Sequence, residues 1–324
     1  MRKKFELNEK TMFKILSVKK RVVDRELSNI IDQQIKNLEF AMPIKYFFSA
    51  GGKRLRPIML ILSAQSVGGR QSSVLQLAIA IELIHNASLI IDDIIDEEEE
   101  RRGSMPLHKK YSNKEAVIIA STLSALAIKL ATKYGVEVTK FLSEIALRLC
   151  EGEYLDYNKS SQYLTEDDVL LIIKNKTAAL FEASTFLGAL AGGGSSYEVK
   201  ALREYGFNFG MAYQLLDDLA DLKNHRKIAH NSMIELRPIL PLIFFIRHYD
   251  NERIINKLTS KNITFDEYNY ILKMMEENGS MKYCEHRIKD FIDEAIRSLY
   301  PIKNSKYKEL LVSLAQYLPM LISK

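Results

Sequence analysis

Only seven prolines and two cysteines occur in this chain of 324 residues. Few prolines leave long stretches with nothing to interrupt a helix. Cys150 and Cys284 form no CxxC or zinc pattern, which excludes a zinc ribbon or dithiol redox centre and points to a reducing, cytoplasmic setting. The glycines make neither a G-x-G-x-x-G nor a Walker A sequence, so no nucleotide-type phosphate cradle is expected. There is no uninterrupted apolar run of about 18 residues, and hence no expected membrane span. The opening MRKKFELNEKTMFKIL has basic residues without a continuous apolar core, so no signal peptide is expected. The formal net charge of +5 is modest, and the basic residues are dispersed, so a nucleic-acid partner is not indicated.

The content, 47% apolar and 27% charged, suits a globular protein with a large core. Period-two alternation bounded by turns is scarce, whereas helix starts recur. Ser112 with Glu115, Ser195 with Glu198 and Thr264 with Glu267 fit the S/T-x-x-E capping box, and Thr165 precedes Glu-Asp-Asp. Breakers fall between these segments at Gly51-Gly52, Gly68-Gly69 and Gly192-Gly193-Gly194. With no polar linker and no repeat, the expectation is one all-α domain across residues 1–324.

Two acidic clusters interrupt otherwise apolar helical patterns. LIHNASLIIDDIIDEEEERRG carries Asp92, Asp93 and Asp96, and YQLLDDLADL carries Asp217, Asp218 and Asp221. On a helix, Asp92 and Asp96 share a face while Asp93 points roughly 100° away. Like charges one turn apart repel by only about 0.2–0.5 kcal/mol in water, and such a block is also what a solvated helix end looks like. Repetition of D-D-x-x-D on a second helix shifts the reading. Two acidic faces in one cavity require cations between them, and magnesium takes one or two carboxylates plus water and substrate phosphate oxygens. Basic residues supply the complement: Lys53, Arg54 and Arg56 in GGKRLRP, then Arg101-Arg102-Gly103 closing the first acidic block. Guanidinium and ammonium groups are the usual partners of phosphate oxygens.

GGKRLRP, IHNASLIIDDIIDEEEERRG, KTAALFEAS and GMAYQLLDDLAD, in this order, resemble the motifs of the trans-isoprenyl diphosphate synthases, the polyprenyl synthetase family. The resemblance implies the isoprenoid synthase fold, mostly antiparallel helices around a deep central cavity, usually as a homodimer. It also implies head-to-tail condensation of isopentenyl diphosphate with an allylic diphosphate, with three magnesium ions per site. By position, Asp92, Asp96, Asp217 and Asp221 resemble the metal-binding aspartates, with Asp93 and Asp218 supporting them. Lys53, Arg56, His85 and Arg102 resemble the isopentenyl diphosphate site. Arg101, Lys176, Thr177, Gln214 and Lys227 resemble the allylic diphosphate site. A regulatory subunit of a heteromeric prenyltransferase, or a terpene cyclase, would normally lack part of this paired set.

Departures occur after the second motif. HRKIAHNSMIELRPILP is shorter before Lys227 than in many relatives, has Ser232 where an Asp is common, and Arg237 where a Lys is common. Arg237 retains the charge needed for phosphate. Chain length in the family is limited by side chains one turn before the first D-D-x-x-D. Here Ala87 and Ser88 are small, and Ile84 a turn further is the nearest obstacle. That argues against a fifteen-carbon stop and for products of twenty carbons or more.

Overall fold

The structure, a computed structural model, describes residues 8–158, 165–223, 239–248 and 263–322. Its helices are α1 (Glu9–Gln34), α2 (Leu38–Ser49), α3 (Leu55–Ser66), α4 (Gln71–Ile95), α5 (Leu107–Lys110), α6 (Asn113–Ala131), α7 (Val136–Asn158), α8 (Glu166–Ile173), α9 (Ala179–Ala191), α10 (Ser196–Leu222), α11 (Leu240–His248), α12 (Phe265–Glu277), α13 (Ser280–Ser298), α14 (Lys306–Gln316) and α15 (Leu318–Ile322). Among the described residues there is no strand; an isolated bridge joins Arg101 and Ser104. The all-α expectation holds.

The helix starts read from sequence are where the chain turns into helix. Ser195 and Thr264 accept from the backbone N–H three residues on, and the Glu at that position returns the bond. Thr165 does the same with Asp168, while Ser112 accepts from the Glu115 N–H. Each cap satisfies donors that the first turn leaves without partners, worth about 1 kcal/mol. Pro57 lies in the first turn of α3, where its missing N–H removes no helical bond.

Helix α4 is apolar around most of its circumference because it is covered on several sides, by α6, α3 and α9. Leu77, Ile79, Ile81 and Leu83 are fully buried on it; each such side chain contributes about 1.5–3 kcal/mol. Helix α10 lies between α9 and α13. Its contact with α9 and the turn just before it is close because the facing residues are small: a Cβ added to Gly206 would stand 2.0 Å from Thr185 Oγ1, and one on Gly210 2.6 Å from Ala178 Cα. Helices α4 and α6 are long and apolar enough by composition to cross a membrane; 67% of the qualifying stretch of α4 is buried inside the protein, against 44% for α6. The remaining face of α6 is a feature of its own. No charged residue occurs between Ala116 and Ile128, yet Val117 and Ile118 are exposed there, as are Val136, Leu147 and Tyr154 on α7.

The two aspartate clusters end α4 and α10, each after an apolar run, so that the acids emerge where the core stops. The GGKRLRP segment joins α2 to α3, and the Arg-Arg-Gly turn follows α4.

Candidate active site

Asp92 and Asp93 leave the last turn of α4 in different directions, as their spacing predicts. Asp93 is buried and accepts from Arg101 Nε at 2.6 Å, with a second bond from the same guanidinium. Burial raises the Asp93 carboxyl above the usual range, and Arg101 opposes that. Arg101 also reaches Asp92 Oδ2 at 3.3 Å. Arg101 is thus engaged with two of the three carboxylates of the first cluster, Asp92 and Asp93. Asp96 caps the helix and is exposed.

Asp92 Oδ1 meets a second cation, Lys176 Nζ, at 2.9 Å. Lys176 simultaneously contacts Glu153 Oε2 at 2.9 Å and Asp156 Oδ2 at 2.6 Å, both from α7. Burial alone would lower the Lys176 pKa; the charges of Asp92, Asp156 and Glu153 outweigh it and raise the pKa well above the ordinary lysine range. Lys176 remains protonated. It sits in a π-helical turn, Lys174–Ala178, that joins α8 to α9. Such turns widen the helix and re-aim side chains, and they recur at functional sites. Gly152 lets α7 press against this turn, since a Cβ there would stand 2.5 Å from Lys176 N. Glu153 and Asp156 escape a reading by motif. Their signal is an acidic i, i+3 pair directly after that glycine, visible only once the contact with Lys176 is known.

The neighbouring residue connects to the second cluster. Thr177 Oγ1 donates to Gln214 Oε1 at 2.7 Å, and Gln214 Nε2 donates to Asp218 Oδ1 at 2.7 Å. Burial pushes the Asp218 carboxyl up to about 7; the Gln214 bond lowers it, while Asp217, Asp156 and Asp221 raise it. Acids from α7 and α10 therefore crowd one region, and Lys176 ties that region to Asp92. Asp217 also acts electrostatically on Lys53 and Arg56, placing α10 beside the basic segment.

On that basic side, Arg56 Nη1 lies 3.1 Å from His85 Nε2 and the guanidinium stacks 4.3 Å over the Phe181 ring. A guanidinium only donates, so Nε2 accepts and the His85 proton sits on Nδ1. Burial and then the charges of Arg56 and Arg102 hold the His85 pKa well below its ordinary value, keeping the ring neutral. Arg102 donates to the Gly51 carbonyl, and Lys53 donates to the Leu321 carbonyl and, at 3.0 Å, to that of Ile322. Lys53 is thereby engaged by the end of α15. Ile84 and Ala87 are buried in α4, and the partly buried Ser88 hydroxyl donates to the His85 carbonyl at 2.8 Å. Lys227, Ser232 and Arg237 lie outside the described residues.

The donor set bears on a metal. Among the described residues no three His, Cys, Asp or Glu side chains meet closely enough to form a protein cage. The donors present are carboxylate oxygens, and Asp93 Oδ2 is buried without a hydrogen-bond partner. Hard oxygens, few to a point and close to lysine and arginine side chains, fit magnesium, which retains water and shares phosphate oxygens. They do not suit zinc or a structural calcium cage.

Comparison with known proteins places this arrangement. The polyprenyl synthetase family model matches residues 37–275. The chain is 31% identical over 285 residues to a geranylgeranyl diphosphate synthase of Methanosarcina mazei, covering 85% of this chain and 87% of that protein. It is 30% identical over 295 residues to an octaprenyl diphosphate synthase of Escherichia coli, covering 88% and 91%. Among crystal structures, a geranylgeranyl pyrophosphate synthetase of Pyrococcus horikoshii superposes with a TM-score of 0.86 at 27% identity, over 96% of this chain and 98% of that one. A polyprenyl synthase of Caulobacter crescentus, complexed with calcium and isoprenyl diphosphate, superposes at 0.85 with 25% identity over 99% of each chain. The chain belongs to the polyprenyl synthetase family. It is a trans-prenyltransferase with the isoprenoid synthase fold.

Proposed function

We propose that this enzyme joins isopentenyl diphosphate head-to-tail to an allylic diphosphate with magnesium, giving an all-trans product of twenty carbons or more. The observation that carries the reading is the division of the site. Three carboxylates from two helices, α4 and α7, gather around Lys176, while Arg56, His85, Arg102 and Lys53 gather beside them. The first group suits an allylic diphosphate whose carbon–oxygen bond must break. The second suits a diphosphate that is held and not cleaved.

Asp92, Asp96, Asp217 and Asp221 would hold the magnesium ions, with Glu153 and Asp156 beside them. When bound, those ions neutralise the charge that develops on the departing diphosphate. Lys176, already protonated, supplies a fixed positive charge to the same oxygens, and Arg101 and Lys227 add to it. Thr177 and Gln214 keep Asp218 turned toward the cluster through their two hydrogen bonds. On the other substrate, Arg56, Arg102, Lys53 and Arg237 grip phosphate oxygens, and neutral His85 offers its Nδ1–H. Each such bond to a charged partner is worth roughly 1.5–3 kcal/mol. The apolar residues around both aspartate clusters exclude water from the allylic cation. The growing chain would pass Ala87 and Ser88, whose small side chains leave room, with Ile84 as the next obstacle.

The close relatives' names span geranylgeranyl to octaprenyl synthases, consistent with a product beyond fifteen carbons. The structure bound to calcium and isoprenyl diphosphate supports divalent-metal use. Uncharged, exposed Val117 and Ile118 on α6 with Leu147 on α7 support burial against a second copy in a homodimer. The two cysteines are free, consistent with a cytoplasmic setting. Replacing Asp92 or Asp217 with Ala is the test. Turnover should fall by orders of magnitude with helical circular dichroism unchanged; near-normal turnover in both variants would contradict the metal assignment.

A further inference from the structure

Arg54 lies between two residues assigned to isopentenyl diphosphate, Lys53 and Arg56, but it faces the other way. Its side chain is 2% exposed. Nε donates to Asp24 Oδ1 of α1 at 2.9 Å, and Nη1 donates to Glu82 Oε1 of α4 at 2.8 Å. Glu82 is equally buried, and its Oε1 also receives Asn86 Nδ2 at 2.9 Å. The other oxygen, Oε2, has no hydrogen-bond partner. A carboxylate so far from water is strongly unfavourable unless the surrounding charge compensates for it. Here the surrounding charge is the cation group itself, because Glu82 acts electrostatically on Arg54, Arg56 and Arg102.

The backbone at this point is constrained. Arg54 has φ 55° and ψ 31°, a left-handed conformation in a residue with a full side chain. Such a residue persists only where its surroundings over-determine it. The Glu82 and Asp24 bonds are those surroundings. The turn they fix sends Arg54 inward, Lys53 outward and Arg56 toward His85. Arg102 closes the other side, donating to the Gly51 carbonyl from a second left-handed residue, φ 54°. Glu82 and His85 are three residues apart on α4, so the helix that presents His85 also anchors the turn that presents Arg56.

We propose that Glu82 and Arg54 are positioning residues for isopentenyl diphosphate: a buried ion pair that holds the GGKRLRP turn in its strained form and balances the cation group, without touching substrate. This rests on the division of substrates proposed above. Neither residue belongs to that substrate-binding set, and sequence alone would group Arg54 with its neighbours as a phosphate ligand. The structure assigns it the opposite task.

The test compares wild type with Glu82→Gln, which keeps the shape and removes the charge, and with Asp24→Asn at the half-exposed end of the clamp. Steady-state kinetics are measured for each substrate, and isopentenyl diphosphate binding is measured by calorimetry. Glu82→Gln should raise the KM for isopentenyl diphosphate at least tenfold and Asp24→Asn about threefold. The KM for the allylic substrate should stay within twofold, and kcat should fall less than fivefold. A merely structural role would lower the amount of folded enzyme and leave both KM values unmoved, which overturns the proposal. So would an equal rise in both. Should Glu82→Gln fail to fold, Asp24→Asn decides alone: a rise confined to isopentenyl diphosphate supports positioning, and no rise refutes it. Wild type that binds no isopentenyl diphosphate sinks the functional reading and the proposal together; wild type and Glu82→Gln binding it equally well sinks the proposal only.

Discussion

Lys176→Met removes one charge, nearly preserves side-chain volume, and leaves Asp92, Glu153 and Asp156 facing one another. The ammonium meets these three oxygens at 2.9, 2.9 and 2.6 Å. A single contact of this kind is worth about 4 kcal/mol at an effective dielectric of about 20. Desolvating the ammonium offsets much of that. Breaking a fully buried pair costs about 3–5 kcal/mol through the charge left behind. Lys176 is 23% exposed and Asp156 29%, so water recovers a part, and the expected loss is about 2–3 kcal/mol. The loss depends on pH in a definite sense. Burial raises the Glu153 carboxyl and Lys176 opposes that; without Lys176, Glu153 holds its proton more readily in the folded protein than in the unfolded chain, so folding gains with acid and the deficit is larger at pH 8 than at pH 5. Urea denaturation of both proteins at these two pH values, with chelator and then with millimolar magnesium, reads all of this. Magnesium supplies the missing positive charge and should restore at least half the loss. An unchanged urea midpoint at pH 8 in chelator would refute the reasoning.

Other perturbations test separate parts of the account. Ala87→Phe fills a buried position on α4 and should shorten the product distribution at about 1–3 kcal/mol of stability; product chromatography unchanged from wild type would show that the chain takes another route. Gly210→Ala places a Cβ 2.6 Å from Ala178 Cα, a backbone neighbour that cannot swing aside. The gain in helix propensity of up to about 1 kcal/mol should therefore be outweighed, with a lower melting temperature and weakened allylic binding as Thr177 and Gln214 part. Lys19 is buried, held by Gln65 Oε1 at 2.7 Å and Gln71 Oε1 at 3.1 Å, and burial lowers its pKa from 10.5 to about 8. Between those two values the unfolded chain binds more protons, so this lysine opposes folding at neutral pH and the opposition fades as pH rises from about 8 to 10.5. Lys19→Met should stabilise by about 1–2 kcal/mol at pH 7, net of two orphaned glutamine oxygens, and the difference from wild type should shrink toward pH 10.5; a difference flat with pH would contradict it.

The parts of this site that were legible in the sequence are the local ones. D-D-x-x-D after an apolar run announces acids at the end of a buried helix, and the capping boxes mark helix starts through bonds three residues long. The charge-free stretch from Ala116 to Ile128 and the small residues at 87 and 88 are equally readable along the chain. What could not be read is pairing across distance. Glu153 and Asp156 became part of the site only because Gly152 lets α7 touch the π-helical turn carrying Lys176. Arg54 and Arg56 are two residues apart in one basic motif, and only the left-handed turn sends one into the core and the other toward His85. Lys53 meets carbonyls more than 260 positions later. No local pattern encodes such contacts, which depend on how finished helices pack.

The most direct measurement incubates the purified protein with magnesium, isopentenyl diphosphate and each allylic primer in turn, and separates the dephosphorylated products by length. The account predicts condensation that requires the divalent cation and ends at twenty carbons or beyond. No condensation with any primer, or a product that stops at fifteen carbons, would contradict it.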